Sequence, residues 1–73
     1  MTKPLRVATE VAGTVWKIVA TQGVMLSKGD VILIMESMKM EIPIEAPRAG
    51  KLTELLVAER DVLKEDDVVA VIG

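Results

Sequence analysis

An internal repeat constrains the fold of this chain more than any other feature of its sequence. At an offset of 37 residues, Ala12-Gly13 aligns with Ala49-Gly50 and Asp30-Val31 aligns with Asp67-Val68, and most apolar positions between these pairs match as well. One half of this size cannot bury its own apolar face, so the two copies are expected to pair about a pseudo-two-fold axis and share one core. We therefore expect residues 1–73 to form a single domain.

The pattern within each copy predicts strands. Each half contains a glycine, a strand, a polar turn, a lone apolar pair, a second polar turn and a second strand, and these pieces are too short for helices. The composition agrees, because the apolar residues are mostly aliphatic and Trp16 is the only aromatic residue. About eight strands are expected, arranged as a flattened β-barrel or sandwich, near residues 5–10, 13–19, 25, 31–36, 40–45, 50–57, 62 and 68–72.

Composition and charge exclude several classes of function. The chain has no cysteine and no histidine, which argues against disulfides, thiol nucleophiles, imidazole bases and most zinc sites. The net charge of -2 comes from interspersed acids and bases and offers no basic patch for a nucleic acid. The longest apolar run, residues 31–35, is too short to cross a bilayer. We expect no metal site, no nucleic-acid or membrane partner, and a cytoplasmic location.

The segment between residues 35 and 49 is the one part with no counterpart in the repeat. A strand ends near Glu36 and an alternating strand leaves through Met40, so Met38-Lys39 is expected to form a hairpin turn. The central residues of such turns need positive φ, which makes Met-Lys a poor choice for stability. Function is one explanation for that choice. The spacing alone equally allows an ordinary surface lysine, with Met38 and Met40 packed into the core.

The residues of this turn resemble a family motif. Glu36-Ser37-Met38-Lys39-Met40 is similar to the Glu-Ala/Ser-Met-Lys-Met signature of biotinyl domains, which include biotin carboxyl carrier proteins. Ala46-Pro47-Arg48-Ala49-Gly50 is similar to the family's Ala-Pro-X-X-Gly stretch. The resemblance covers nearly the whole chain. It implies two four-stranded antiparallel sheets with pseudo-two-fold symmetry and a modified lysine on a hairpin turn.

The resemblance also implies a function. A biotin protein ligase would attach biotin to Lys39, Met38 and Met40 would support productive use of the carrier, and Glu36 and Ser37 would complete the cofactor-binding motif. The domain would then carry a carboxyl group between a biotin carboxylase and a carboxyltransferase of the acyl-CoA carboxylase type. It would be a carrier protein or carrier subunit without catalytic residues of its own, since the chain has no nucleotide-binding glycine loop.

Two alternatives remain at this stage. A lipoyl domain has the same pseudo-symmetric fold, but it usually has an acidic residue directly before the lysine, where this chain has Met38. An unmodified interaction module would use Val24, Met25, Met38 and Met40 as a docking surface. Only four residues separate Ala20 from Met25, too few for the protruding insertion of some acetyl-CoA carboxylase carriers. Whether the chain is freestanding or part of a longer subunit stays open.

The second copy departs from the family pattern at two turn positions. The counterparts of Gly23 and Gly29 are Arg60 and Asp66. If both keep positive φ, each costs on the order of 1 kcal/mol, and Asp costs less than Arg. We expect this departure to affect the stability of the fold rather than the identity of the modified lysine.

Overall fold

The computed structural model describes residues 3–73, which form two four-stranded antiparallel sheets. The strand order is β1-β8-β6-β3 in the first sheet and β5-β4-β2-β7 in the second. The predicted all-β fold is confirmed, and among the described residues there is no helix that could span a membrane. The strands are β1 Leu5–Ala8, β2 Gly13–Ile18, β3 Met25–Leu26, β4 Val31–Ser37, β5 Met40–Glu45, β6 Gly50–Leu55, β7 Val62–Leu63 and β8 Val68–Ile72.

The two copies of the repeat hold each other through matching hydrogen bonds. Gln22 accepts a hydrogen bond at its Oε1 from the backbone N–H of Leu55, at 3.0 Å. Thirty-seven residues along, Glu59 accepts one at its Oε2 from the N–H of Ile18, at 3.1 Å. Each copy thus extends its first loop onto the strand of the other copy, which is the interlocked, pseudo-two-fold arrangement that the repeat predicts.

The repeat extends further than the sequence suggested. We expected the segment between residues 35 and 49 to lack a counterpart, and for β5 this was wrong. The N–H of Ala46 donates to the carbonyl of Asp30 at 2.8 Å, and the N–H of Thr9 donates in the same way to Asp67 at 2.9 Å. Strand β5 therefore occupies the edge of the second sheet as β1 occupies the edge of the first. Pro43 fits this edge position because an edge strand needs no ladder donor on its outer side.

The central strand β4 is anchored in the core. Its residues Ile32, Leu33 and Met35 are completely buried, where they pack with apolar side chains of β8 and β6 in one aliphatic cluster. Full burial of one such side chain stabilises the fold by about 1.5–3 kcal/mol. The base of the β4–β5 hairpin is consequently held rigidly by the body of the domain.

Strand β1 ends earlier than expected, at Ala8 instead of residue 10. The next residue, Thr9, is completely buried and turns the chain with its own side chain. Its hydroxyl donates to the carbonyl of Val11 at 2.8 Å and accepts from the N–H of Val11 at 3.2 Å. This local pattern competes with strand pairing, as is usual for threonine.

Candidate functional site

The turn between β4 and β5 is a two-residue hairpin turn, as predicted. The two strands pair as far as Ser37 and Met40, which leaves Met38 and Lys39 as the central residues. Their φ angles are 52° and 66°. Two positive φ values in succession are required by a type I′ turn, whose twist matches that of the flanking strands. The lysine therefore lies at the tip of a regular hairpin in a conformation that side chains normally avoid.

The side chains at this tip are exposed. Met38 is 93% exposed, Met40 is 64% exposed and Lys39 is also exposed. The alternative in which both methionines pack into the core is therefore wrong. None of the side-chain hydrogen bonds among residues 3–73 involves Lys39. The tip thus combines an exposed primary amine with two flexible apolar side chains that can adapt to different partner surfaces.

Glu36 and Ser37 lie at the end of β4, next to the tip. Glu36 is exposed and lies opposite Glu41 of β5, while Ser37 is partly buried and pairs with Met40. The structure therefore brings together all five residues of the motif. Like charges directly opposite each other are unfavourable, so the Glu36–Glu41 pair is a second feature of this hairpin that does not serve stability.

The third acidic residue of the hairpin, Glu45, lies apart from this pair. It is paired with Val31 at the other end of the hairpin. Among residues 3–73, no group of three or more acidic side chains is arranged to hold a metal ion.

Lys39 lines neither of two open clefts formed by residues 3–73. An open cleft of about 490 Å³ lies between the edge strands β1 and β5, lined by residues that include Arg6, Ala8, Ile42 and Ile44. Lys39 is not among its lining residues. A prosthetic group at the tip would therefore depend on a covalent bond to the amine, since the domain offers it no enclosed site there. The exposed tip suits presentation of a covalently held group to another protein.

The docking surface expected for an unmodified module does not form. Met25 is 73% exposed, but it lies on β3 in the first sheet and pairs with Lys51. Lys51 in turn exchanges hydrogen bonds with Gly73. The neighbouring Ile72 accepts a hydrogen bond from Arg48, which follows the end of β5 that lies away from the tip. Met25 and the two methionines of the tip therefore belong to separate surfaces.

Two pseudo-symmetric sheets, with an exposed lysine at the tip of a rigid hairpin, define a class of carrier domain that holds its prosthetic group covalently. Residues 4–72 match the biotin/lipoyl family model, which is described as "Biotin-requiring enzyme". The chain belongs to this family, and it is a biotin-carrier domain.

Similar proteins agree with this assignment. The chain is 41% identical over 67 residues to a biotinylated protein TB7.3 homolog of Mycobacterium leprae, covering 92% of this chain and 94% of that protein. It is 42% identical over 64 residues to a biotin/lipoyl attachment protein of Bacillus subtilis, covering 88% of each. The structure also superposes on part of Kluyveromyces lactis urea carboxylase with a TM-score of 0.93 and 33% identity, over 100% of this chain and 6% of that one.

Proposed function

We propose that residues 1–73 act as a single carrier domain in which Lys39 is the residue that a biotin protein ligase modifies. The observation that carries this proposal is the position of Lys39 at the exposed tip of a turn with positive φ. If Lys39 had no function, replacing it by Gly or Asn would increase the stability of the domain at no cost. The domain would serve as a carrier protein or carrier subunit, while the enzymes it visits perform the catalysis.

The chemistry required of Lys39 is nucleophilic attack. After losing a proton, its Nζ forms an amide bond with the activated carboxyl group of biotin, and the activating group leaves. The positive charge of the lysine is lost in this step. Bound biotin supplies a group that accepts, carries and releases a carboxyl group. The contribution of the protein is to hold the tip away from its body, through the buried residues at the base of β4.

The partners that we propose are a biotin carboxylase and a carboxyltransferase of the acyl-CoA carboxylase type. Support comes from the structural match to part of urea carboxylase, because that protein is itself a carboxylase. Exposed Met38 and Met40 would bury apolar surface against both enzymes in turn, because unbranched thioether side chains repack easily. Glu36 and Ser37 would complete the surface that these enzymes contact.

Intact-protein mass spectrometry tests the assignment of Lys39. The chain is co-expressed with a biotin protein ligase in excess biotin, as wild type, Lys39→Arg and Lys28→Arg. Lys28 is a matched control because it is also an exposed lysine in a turn. We expect one biotinyl mass increment on the wild type and on Lys28→Arg, and none on Lys39→Arg.

Two outcomes would contradict this proposal. The first is a wild type that stays unmodified in cells where a known carrier is biotinylated, which would show that the ligase does not modify this domain. A lipoyl increment at Lys39 in cells supplied with a lipoate ligase, with no biotinyl increment in the first experiment, would assign the chain to the lipoyl branch instead.

A further inference from the structure

We propose that Gly13 is a positioning residue for the reaction at Lys39, because its missing side chain lets β2 lie directly against the end of β4. The inference rests on the proposed function, since it assumes that Lys39 is the residue modified. In the sequence, Gly13 stands out only as the glycine that begins the first strand of the repeat and matches Gly50 in the second copy.

The contact between Gly13 and β4 leaves no space for a β-carbon. A Cβ built on Gly13 would lie 2.4 Å from the carbonyl oxygen of Glu36, 3.2 Å from the carbonyl carbon of Glu36 and 3.2 Å from the Cβ of Ser37. All three atoms belong to the backbone or to a Cβ, so no flexible side-chain end can move aside. Gly13 does not have positive φ, so the requirement here is for space and not for backbone conformation.

The crowding caused by a Cβ would be relieved at the hairpin tip. Strand β4 is fixed up to Met35, which is completely buried, and the start of β2 is held on its other side by pairing with Leu63 of β7. The movable part is therefore the end of β4, and the residue after Ser37 is Met38 of the turn. Increasing the distance from 2.4 Å to ordinary contact beyond 3.4 Å requires a shift of about 1 Å. A misplacement of this size can reduce a reaction rate by on the order of 10²-fold.

The repeat provides a matched control. Gly50 is the counterpart of Gly13, and a Cβ built there would lie 2.5 Å from Cγ2 of Ile72 and 2.7 Å from the carbonyl oxygen of Gly73. The distances are comparable, but these atoms lie next to Arg48, which follows the end of β5 that is remote from Lys39. The atoms around Gly50 are a side-chain methyl and the last residue of the sequence, so Gly50→Ala should lose no more stability than Gly13→Ala, and only Gly13→Ala should displace the tip.

The experiment measures biotinylation kinetics of both variants with a purified biotin protein ligase. Both are made with Arg60→Gly, a substitution outside the hairpin that is expected to stabilise the fold, and are compared with Arg60→Gly alone. We expect kcat/KM for the carrier to fall roughly 10- to 100-fold in Gly13→Ala and to stay within about twofold in Gly50→Ala. Amide NMR shifts of Met38, Lys39 and Met40 should change in Gly13→Ala only.

Several results would overturn the role of Gly13. They are a kcat/KM for Gly13→Ala within twofold of its parent, an equal loss in Gly50→Ala, or tip amide shifts that do not change. Loss of the whole fold in Gly13→Ala alone would also overturn it, because the displacement would then not be confined to the hairpin. A wild type that is not modified at Lys39 would instead contradict the proposed function.

Discussion

Arg60→Gly should stabilise this domain by a predictable amount. Arg60 has a φ of 76°, whereas its counterpart in the first copy is Gly23, with a φ of 100°. An L-residue in this region costs roughly 1–2 kcal/mol. Glycine offsets about 0.5–1 kcal/mol of this gain, because its greater conformational freedom stabilises the unfolded chain. The middle of these two ranges gives a net gain in the free energy of unfolding of about 0.75 kcal/mol, or roughly 3–6 °C in Tm for a domain of this size.

Urea denaturation followed by the fluorescence of Trp16, the only tryptophan, measures this gain. The midpoint should rise while the m-value stays constant. Gly23→Ala is the reverse experiment: a Cβ there has no atom within 4 Å, so its cost is conformational and should be of similar size and opposite sign. Asp66→Gly should gain less, because Asp tolerates positive φ better than Arg. The reasoning would be refuted if Arg60→Gly did not raise the free energy of unfolding, or if Gly23→Ala did not lower it.

Two further predictions concern turns. The double variant Met38→Asn/Lys39→Gly should have a free energy of unfolding about 1 kcal/mol higher than the wild type, because Asn-Gly prefers the type I′ turn. It should also lose the biotinyl mass increment. A double variant less stable than the wild type would contradict this prediction. Asp30→Ala and Asp67→Ala each remove a carboxylate that accepts a hydrogen bond at 2.8 Å from the N–H three residues earlier. Each should cost about 0.5–1.5 kcal/mol in the same titration, and clearly unequal losses would argue against the equivalence of the two copies.

The strands could be predicted from the sequence because alternating burial leaves a pattern in side-chain type. The apolar positions of β4 and β8 repeat at 37 residues, and their strands lie within a residue of the expected bounds. The equivalence of β1 and β5 could not be predicted. It is expressed in backbone hydrogen bonds of Thr9 and Ala46, two residues whose side chains give no sign of a shared role.

The hairpin was predictable for a different reason. A strand on either side of Met38-Lys39 leaves no room for any connection except a tight turn, so the position of the lysine followed from spacing. Its chemical role did not, because an exposed lysine alone carries no information about modification. The role of Gly13 was hidden because it depends on the distance to the Glu36 carbonyl, and sequence spacing does not report which strands become neighbours.

Among residues 3–73, the four non-glycine residues with positive φ divide into two groups with different origins. Arg60 and Asp66 occupy positions where the other copy retains glycine, so their strain reflects divergence between the copies, and its removal should leave biotinylation unchanged. Met38 and Lys39 have no such counterparts, and the strain at Lys39 cannot be removed without removing the amine that we propose is modified. Equal biotinylation of Arg60→Gly and wild type, together with a stabilised but unreactive Asn-Gly tip, would show that only the second group is retained for function.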